Sequence, residues 1–132
     1  MKLDGKRLRL YAVTDRAWAS GPDALLAQVA DAIDGGAGIV QLREKHLDHD
    51  AFLEEAKRFV ALCREKGAIS IINDDVEIAL AVGADGVHVG QEDLAAGRAR
   101  EVLGPDKIVG VSAHSVAEAQ AAQAAGADYL GV

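Results

Sequence analysis

Short apolar runs alternate along the whole chain with longer stretches whose apolar positions recur at helical spacing. Leu8 to Val13 reads as the first strand, closed by Thr14-Asp15. Ser20-Gly21-Pro22-Asp23 opens a helix that carries Leu25, Leu26, Val29 and Ile33 on one face and stops at Gly35-Gly36. Gly38 to Arg43 is the second strand. A helix from about Asp50 to Lys66 follows, with Phe52, Ala56, Phe59, Val60 and Cys63 along one stripe, and Gly67 ends it. Cys63 belongs to that stripe and is expected in the core rather than as a nucleophile. Ala68 to Ile72 is the third strand, followed by a short helix from Asp75 to Gly83. Gly86 to Val89 is the fourth, followed by a helix from about Leu94 to Gly104. Lys107 to Val111 is the fifth, and Ser115-Val116-Ala117-Glu118 then has the form of a capping box. That helix ends at Gly126, and Tyr129 to Val132 opens a sixth strand.

Glycines at 36, 67, 83, 104 and 126 each close a helix, where a left-handed residue turns the chain toward the next strand. A weak repeat accompanies them in Gly36-Ala37-Gly38, Gly83-Ala84-Asp85 and Gly126-Ala127-Asp128. Strict alternation of apolar strands with helices predicts a parallel sheet covered by helices, in one domain spanning 1–132. Two architectures fit. One is an open parallel α/β sheet complete within the chain. The other is a TIM barrel, whose eight strands need at least about 200 residues, so that this chain would stop after strand six.

Composition narrows the function classes. A chain that is half apolar and 27% charged suits a globular fold and excludes disorder. A net charge of −7 argues against non-specific nucleic-acid binding and against a polybasic membrane surface. The lone Cys63 cannot form an internal disulfide, no stretch is long enough for a transmembrane helix, and the first residues lack a secretory apolar stretch. The expected location is the cytoplasm.

The polar residues gather where the strands end. Strand one ends in Thr14 and Asp15, and strand two in Gln41, Arg43 and Lys45. Strand three ends in Asn73, Asp74 and Asp75, strand four in His88, Gln91, Glu92 and Asp93, and strand five in Ser112 and His114. In parallel α/β folds that edge binds ligands. Spacing by two predicts Gln41, Arg43 and Lys45 on one face, a set suited to an anionic ligand with a hydrogen-bonding head. The plainer reading pairs Arg43 and Lys45 with Glu44 and Asp48 at the rim. Asp74 and Asp93 follow neighbouring strands and can share one hard cation such as Mg²⁺. Against this, Asp75 and Asp93 stand where helix caps are expected, and Asp75 is read as a cap. His88 alternates with Val87 and Val89 and reads first as a wall residue, with His46 and His114 weaker candidates. Zinc patterns, nucleophile elbows and classical nucleotide-binding loops are absent.

Five blocks carry a resemblance: Leu10-Tyr11-Ala12-Val13-Thr14-Asp15, Gln41-Leu42-Arg43-Glu44-Lys45, Ile72-Asn73-Asp74-Asp75, Gly86 through Asp93, and Gly110-Val111-Ser112-Ala113-His114-Ser115. In order and spacing they resemble the thiamine-phosphate synthases, a TIM-barrel family. The resemblance implies a transferase that joins hydroxymethylpyrimidine diphosphate to thiazole phosphate, releasing diphosphate and forming thiamine monophosphate. It implies that Gln41, Arg43, Lys45, Asn73 and Ser112 bind the pyrimidine diphosphate, with Arg43, Lys45 and Ser112 acting in catalysis. It further implies that Asp74 and Asp93 hold Mg²⁺. The family continues past strand six into the thiazole-phosphate site, so this chain is expected to carry mainly the first half-site. The open edges of strands one and six are expected to drive association into a homo-oligomer or with the remaining segment. A thiazole tautomerase-like enzyme and an inactive ligand-binding partial barrel are the competing expectations.

Overall fold

Backbone pairing follows chain order. β1 (Tyr11–Val13), β2 (Ile39–Leu42), β3 (Ile69–Asn73), β4 (Gly86–Val89), β5 (Ile108–Ser112) and β6 (Tyr129–Gly131) form one parallel sheet in the order β1-β2-β3-β4-β5-β6. Between them lie α1 (Pro22–Asp34), α2 (His49–Lys66), α3 (Val76–Val82), α4 (Ala95–Leu103) and α5 (Val116–Ala124). The computed structural model describes residues 3–91 and 95–132. The strand order never reverses, so the sheet is singly wound. The result is a six-stranded parallel α/β half-barrel.

The two faces of the sheet bury different things. Val40, Leu42, Ile72, Val87, Val89, Val109 and Val111 point to one face and pack with the helices, including Phe52, Ala56, Phe59 and Cys63 of α2. Cys63 is fully buried, and burial pushes its thiol up to about 12, so it is a core residue. Residues of opposite parity, Ile39, Ile69, Ile71 and Ile108, form a second cluster on the other face with Leu3, Tyr11 and Tyr129. Burial on both sides explains why the strands read as continuous apolar runs.

Curvature follows from one contact. Laid flat at ~4.8 Å per strand, β1 and β6 would stand roughly 24 Å apart. Yet the ring centroids of Tyr11 and Tyr129 are 5.5 Å apart. The sheet must curl to bring its first and last strands together, with the Ile cluster inside the curl.

Local chemistry explains the element ends. Asp48 caps α2 by accepting from Ala51 N at 2.8 Å, and Asp75 caps α3 by accepting from Ile78 N at 2.9 Å. The Ser115 box closes one residue early: Ser115 Oγ accepts from Glu118 N, while Glu118 Oε1 accepts from the backbone of His114. The Gly-Ala-Asp repeat also has a physical role. Asp85 accepts the Ser70 N–H through its carboxylate and donates its own N–H to Ser70 O; Asp128 does the same with Val109. Each aspartate therefore extends strand pairing by one residue. Gly38 takes the equivalent place in the first repeat because a Cβ there would lie 2.6 Å from Arg7 O.

Two boundaries differ from expectation. Leu8 to Leu10 are not strand: Gly5–Arg9 form a 3-10 helix whose Lys6 N–H is capped by Asp4, and Leu8 and Leu10 are exposed. β2 ends at Leu42, so Arg43 and Lys45 lie in the loop before α2 rather than on the strand.

Candidate active site

One side chain from each strand joins a single hydrogen-bonded chain inside the curl. Asn73 Nδ2 donates to Gln41 Oε1 at 2.8 Å, and Gln41 Nε2 donates to the Tyr11 hydroxyl at 2.8 Å. The Tyr11 and Tyr129 hydroxyls are 2.5 Å apart. Tyr129 then meets His88 Nδ1 at 3.0 Å, and His88 Nε2 meets Ser112 Oγ at 2.8 Å. With the donors run in one direction, Tyr11 donates to Tyr129, Tyr129 to His88 Nδ1, and His88 Nε2–H to Ser112. Every group is then satisfied with His88 neutral. A protonated His88 would donate to Tyr129 and leave one of the two tyrosine protons without an acceptor in the chain. Burial acts in the same sense, lowering the His88 pKa against a smaller opposing pull from Asp74. Burial also raises Tyr11 and Tyr129, so both phenols stay protonated. This floor is polar and uncharged.

Above the floor the charges change. A cavity of about 660 Å³ is lined by Tyr11, Gln41, Asn73, His88, Ser112 and Tyr129 together with Arg43. Arg43 N donates to Thr14 Oγ1 at 3.0 Å, fixing its backbone to the end of β1. An adjoining groove is lined by Lys45, Asn73, Asp74 and Asp75. The two acids that flank the cations in the loop are engaged elsewhere: Glu44 pairs with Arg16, and Asp48 caps α2. Neither Arg43 nor Lys45 forms an ion pair among the described residues.

Asp74 and Asp75 part company. Asp75 is spent on its cap. Asp74 has φ +64°, the one positive value outside glycine among the described residues, and its carboxylate is exposed. Its backbone is pinned by Asp74 N donating to His88 O at 2.8 Å. A left-handed non-glycine residue costs on the order of 1–3 kcal/mol and tends to persist at functional sites. The carboxylate makes no hydrogen bond among the described residues, and it suits a hard cation that takes one or two carboxylates and completes its shell with water. No group of three or more His, Cys, Asp or Glu that could hold a metal ion gathers among those residues. Asp93 and Glu92 lie outside the described residues.

Of the residues singled out in the sequence, Gln41, Arg43, Asn73 and Ser112 come together at one cavity, and His88 joins them as a wall residue bonded at both nitrogens. Lys45 departs from the same-face expectation. The two-residue period lapses with β2 at Leu42, and Lys45 enters the adjoining groove. Gln91 reaches back to the Ser112 carbonyl, and His114 pairs with Glu118. Tyr11 and Tyr129 were not anticipated. Their signal was slight: the two tyrosines of the chain each begin a strand.

Fold and site together define an α/β half-barrel with a cavity that has an uncharged polar floor and a cationic side chain, Arg43, in its wall. The family model described as thiamine monophosphate synthase matches residues 10–132, and the chain belongs to that family. It is 47% identical over 127 residues to a thiamine-phosphate synthase of Shouchella clausii, covering 96% of this chain and 60% of that protein. It is 52% identical over 122 residues to one of Caldanaerobacter subterraneus, covering 92% and 56% respectively. A solved thiamine phosphate pyrophosphorylase from Pyrococcus furiosus superposes with a TM-score of 0.85 at 39% identity, over 96% of this chain and 60% of that one. The chain thus spans about 60% of the length of these relatives.

Proposed function

We propose that this chain carries the part of a thiamine-phosphate synthase that binds hydroxymethylpyrimidine diphosphate and stabilises the departing diphosphate. What supports the reading is the meeting, in one cavity, of an uncharged hydrogen-bonding floor and an Arg43 guanidinium that no carboxylate among the described residues neutralises. The amide groups of Gln41 and Asn73, with Ser112, face the ring nitrogens and amino group of the pyrimidine. Arg43 grips the diphosphate through paired N–H donors, and Lys45 adds a point charge from the adjoining groove.

In the reaction the C–O bond to diphosphate breaks and the freed carbon bonds to the thiazole nitrogen. Negative charge grows on the leaving oxygens as the bond lengthens, and positioned cations stabilise it more than they stabilise the bound substrate. Asp74, with Asp93, would hold Mg²⁺, which supplies further positive charge to the leaving group. The step needs held geometry rather than a strong base. That accords with His88 being neutral and bonded on both sides.

In this reading the half-barrel is part of an eight-stranded TIM barrel, and the thiazole phosphate is bound by units beyond those described. In this reading the protein works in the cytoplasm. The edges of β1 and β6, with Val13 and Leu130 exposed, associate with further units or with a second copy.

Calorimetric titration tests the binding claim. Hydroxymethylpyrimidine diphosphate should bind more tightly than unphosphorylated hydroxymethylpyrimidine, and magnesium should strengthen the difference. Equal affinity for the two compounds contradicts the reading.

A further inference from the structure

A buried charge cluster lies directly behind the two site cations. Glu44 stands between Arg43 and Lys45, but its side chain turns into the protein and is only 2% exposed. Its Oε2 accepts from Arg16 at 3.1 Å. Arg16, from the 3-10 helix Arg16–Trp18 that follows β1, also donates to Glu55 Oε2 at 2.7 Å. Glu55 lies on α2 and is itself buried. One guanidinium therefore faces two carboxyl groups.

We propose that Glu44, held by Arg16 and Glu55, is the positioning residue that aims Arg43 and Lys45 at the anionic end of the ligand. The inference rests on the reading of Arg43 and Lys45 as diphosphate-binding residues. Three anchors fix the loop from 43 to 48: the Arg43 N–H on Thr14, the Asp48 cap on α2, and between them this cluster. Removing the middle anchor leaves the backbone between the two cations held only at its ends.

The cluster holds one proton too few if both acids ionise. Glu55 Oε1 is buried with no hydrogen-bond partner among the described residues, and the Glu44 carboxyl shares the same guanidinium. A proton on Glu55 gives that oxygen a donor role and leaves one negative charge against one positive charge. Burial first, and then the Glu44 hydrogen bond and charge, push the Glu55 pKa up to about 7, against the opposing pull of Arg16. Arg16 and Glu44 are the charged groups acting on Glu55. The Asp23–Arg58 and Asp34–Lys66 pairs, by which α1 meets α2, do not act on it. Below a pH of about 7 the clamp is balanced; above it, two carboxylates compete for Arg16 and the loop loosens.

Two readouts test this on the same protein. The first is ligand-free: the backbone amide resonances of Arg43 and Lys45 followed against pH. They should titrate with a midpoint of about 7 in the native protein and lose that titration in Glu55→Gln, whose amide imitates the protonated acid. The second is the affinity for inorganic diphosphate at fixed magnesium. The ratio of native to Glu55→Gln affinity cancels the titration of diphosphate itself, and it should fall about fivefold between about pH 6 and pH 8.5. Glu44→Ala should weaken diphosphate binding about tenfold at about pH 6.5, and Glu44→Gln, which still accepts from Arg16, should restore it to within about threefold. If Glu44→Ala does not fold, the two Glu55→Gln comparisons decide. Amides that do not titrate, together with a flat affinity ratio, overturn the positioning role. Amides that titrate in a native protein that binds no diphosphate at any pH uphold the clamp and instead refute the functional reading on which its purpose rests.

Discussion

The hydroxyls of Tyr11 and Tyr129 meet at 2.5 Å, joining the first strand of the sheet to the last across its interior. Through that contact the Asn73–Gln41 amide pair on one side and the His88–Ser112 pair on the other become one network. Each strand end is thereby fixed relative to the others, which is what a site assembled from several strands requires.

Gly110 makes this contact possible. A Cβ at that position would lie 2.1 Å from Tyr129 Cζ. Gly110→Ala should therefore expel the tyrosine ring and cost about 1–3 kcal/mol in denaturant unfolding. In a Tyr129→Ala background the same change should cost only a few tenths of a kcal/mol, because the two act on one contact. Additive costs would show that Gly110 serves some other purpose.

Tyr129→Phe keeps the ring and removes only the bridging hydroxyl. Tyr11 and His88 then each lose a partner inside the curl, and stability should drop by about 1–3 kcal/mol. A midpoint of urea unfolding equal to that of the native protein would mean that water replaces the hydroxyl at no cost.

Glu55 makes stability depend on pH in a definite direction. Its folded pKa of about 7 lies above the ordinary carboxyl value, so the folded state holds the proton more tightly than the unfolded chain. This contribution is fully present below the unfolded carboxyl pKa of about 4.3 and is lost as pH rises through about 7. Glu55→Gln should gain on the native protein by about 1–3 kcal/mol between about pH 5 and pH 8. His88 acts in the opposite sense, since its lowered pKa costs stability as pH falls below the usual histidine range. Comparing the two proteins at each pH removes that common term.

Asp74→Asn addresses the cation. Asparagine tolerates the left-handed backbone as aspartate does, so thermal stability should change by less than about 0.5 kcal/mol. The magnesium concentration needed for half-maximal diphosphate binding should rise about tenfold. An unchanged magnesium requirement would separate Asp74 from the metal.

The alternation of strands and helices was legible because parallel strands buried on both faces are apolar throughout and left-handed glycines close most of the helices. Arg43 and Lys45 show where such reading overreaches. A two-residue period holds only while the backbone is extended, and β2 ends one residue before Arg43. The tyrosine contact was not legible, because it depends on the curvature of the whole sheet, a tertiary property that no local pattern encodes. Glu55 was legible in principle. It sits three residues after Phe52 and four before Phe59, on the apolar stripe of α2, where a lone carboxylate signals a buried partner. In the sequence it follows Glu54 and passes for part of a solvated face.

The proposed division of the cavity into an uncharged head site and a cationic tail site is tested most directly by two variants titrated with two ligands. Arg43→Ala should lose about 1.5–3 kcal/mol of hydroxymethylpyrimidine diphosphate binding while leaving affinity for unphosphorylated hydroxymethylpyrimidine unchanged. Gln41→Ala should weaken both ligands alike. An Arg43→Ala protein that binds the diphosphate as tightly as the native one, or loses both ligands equally, would contradict the account.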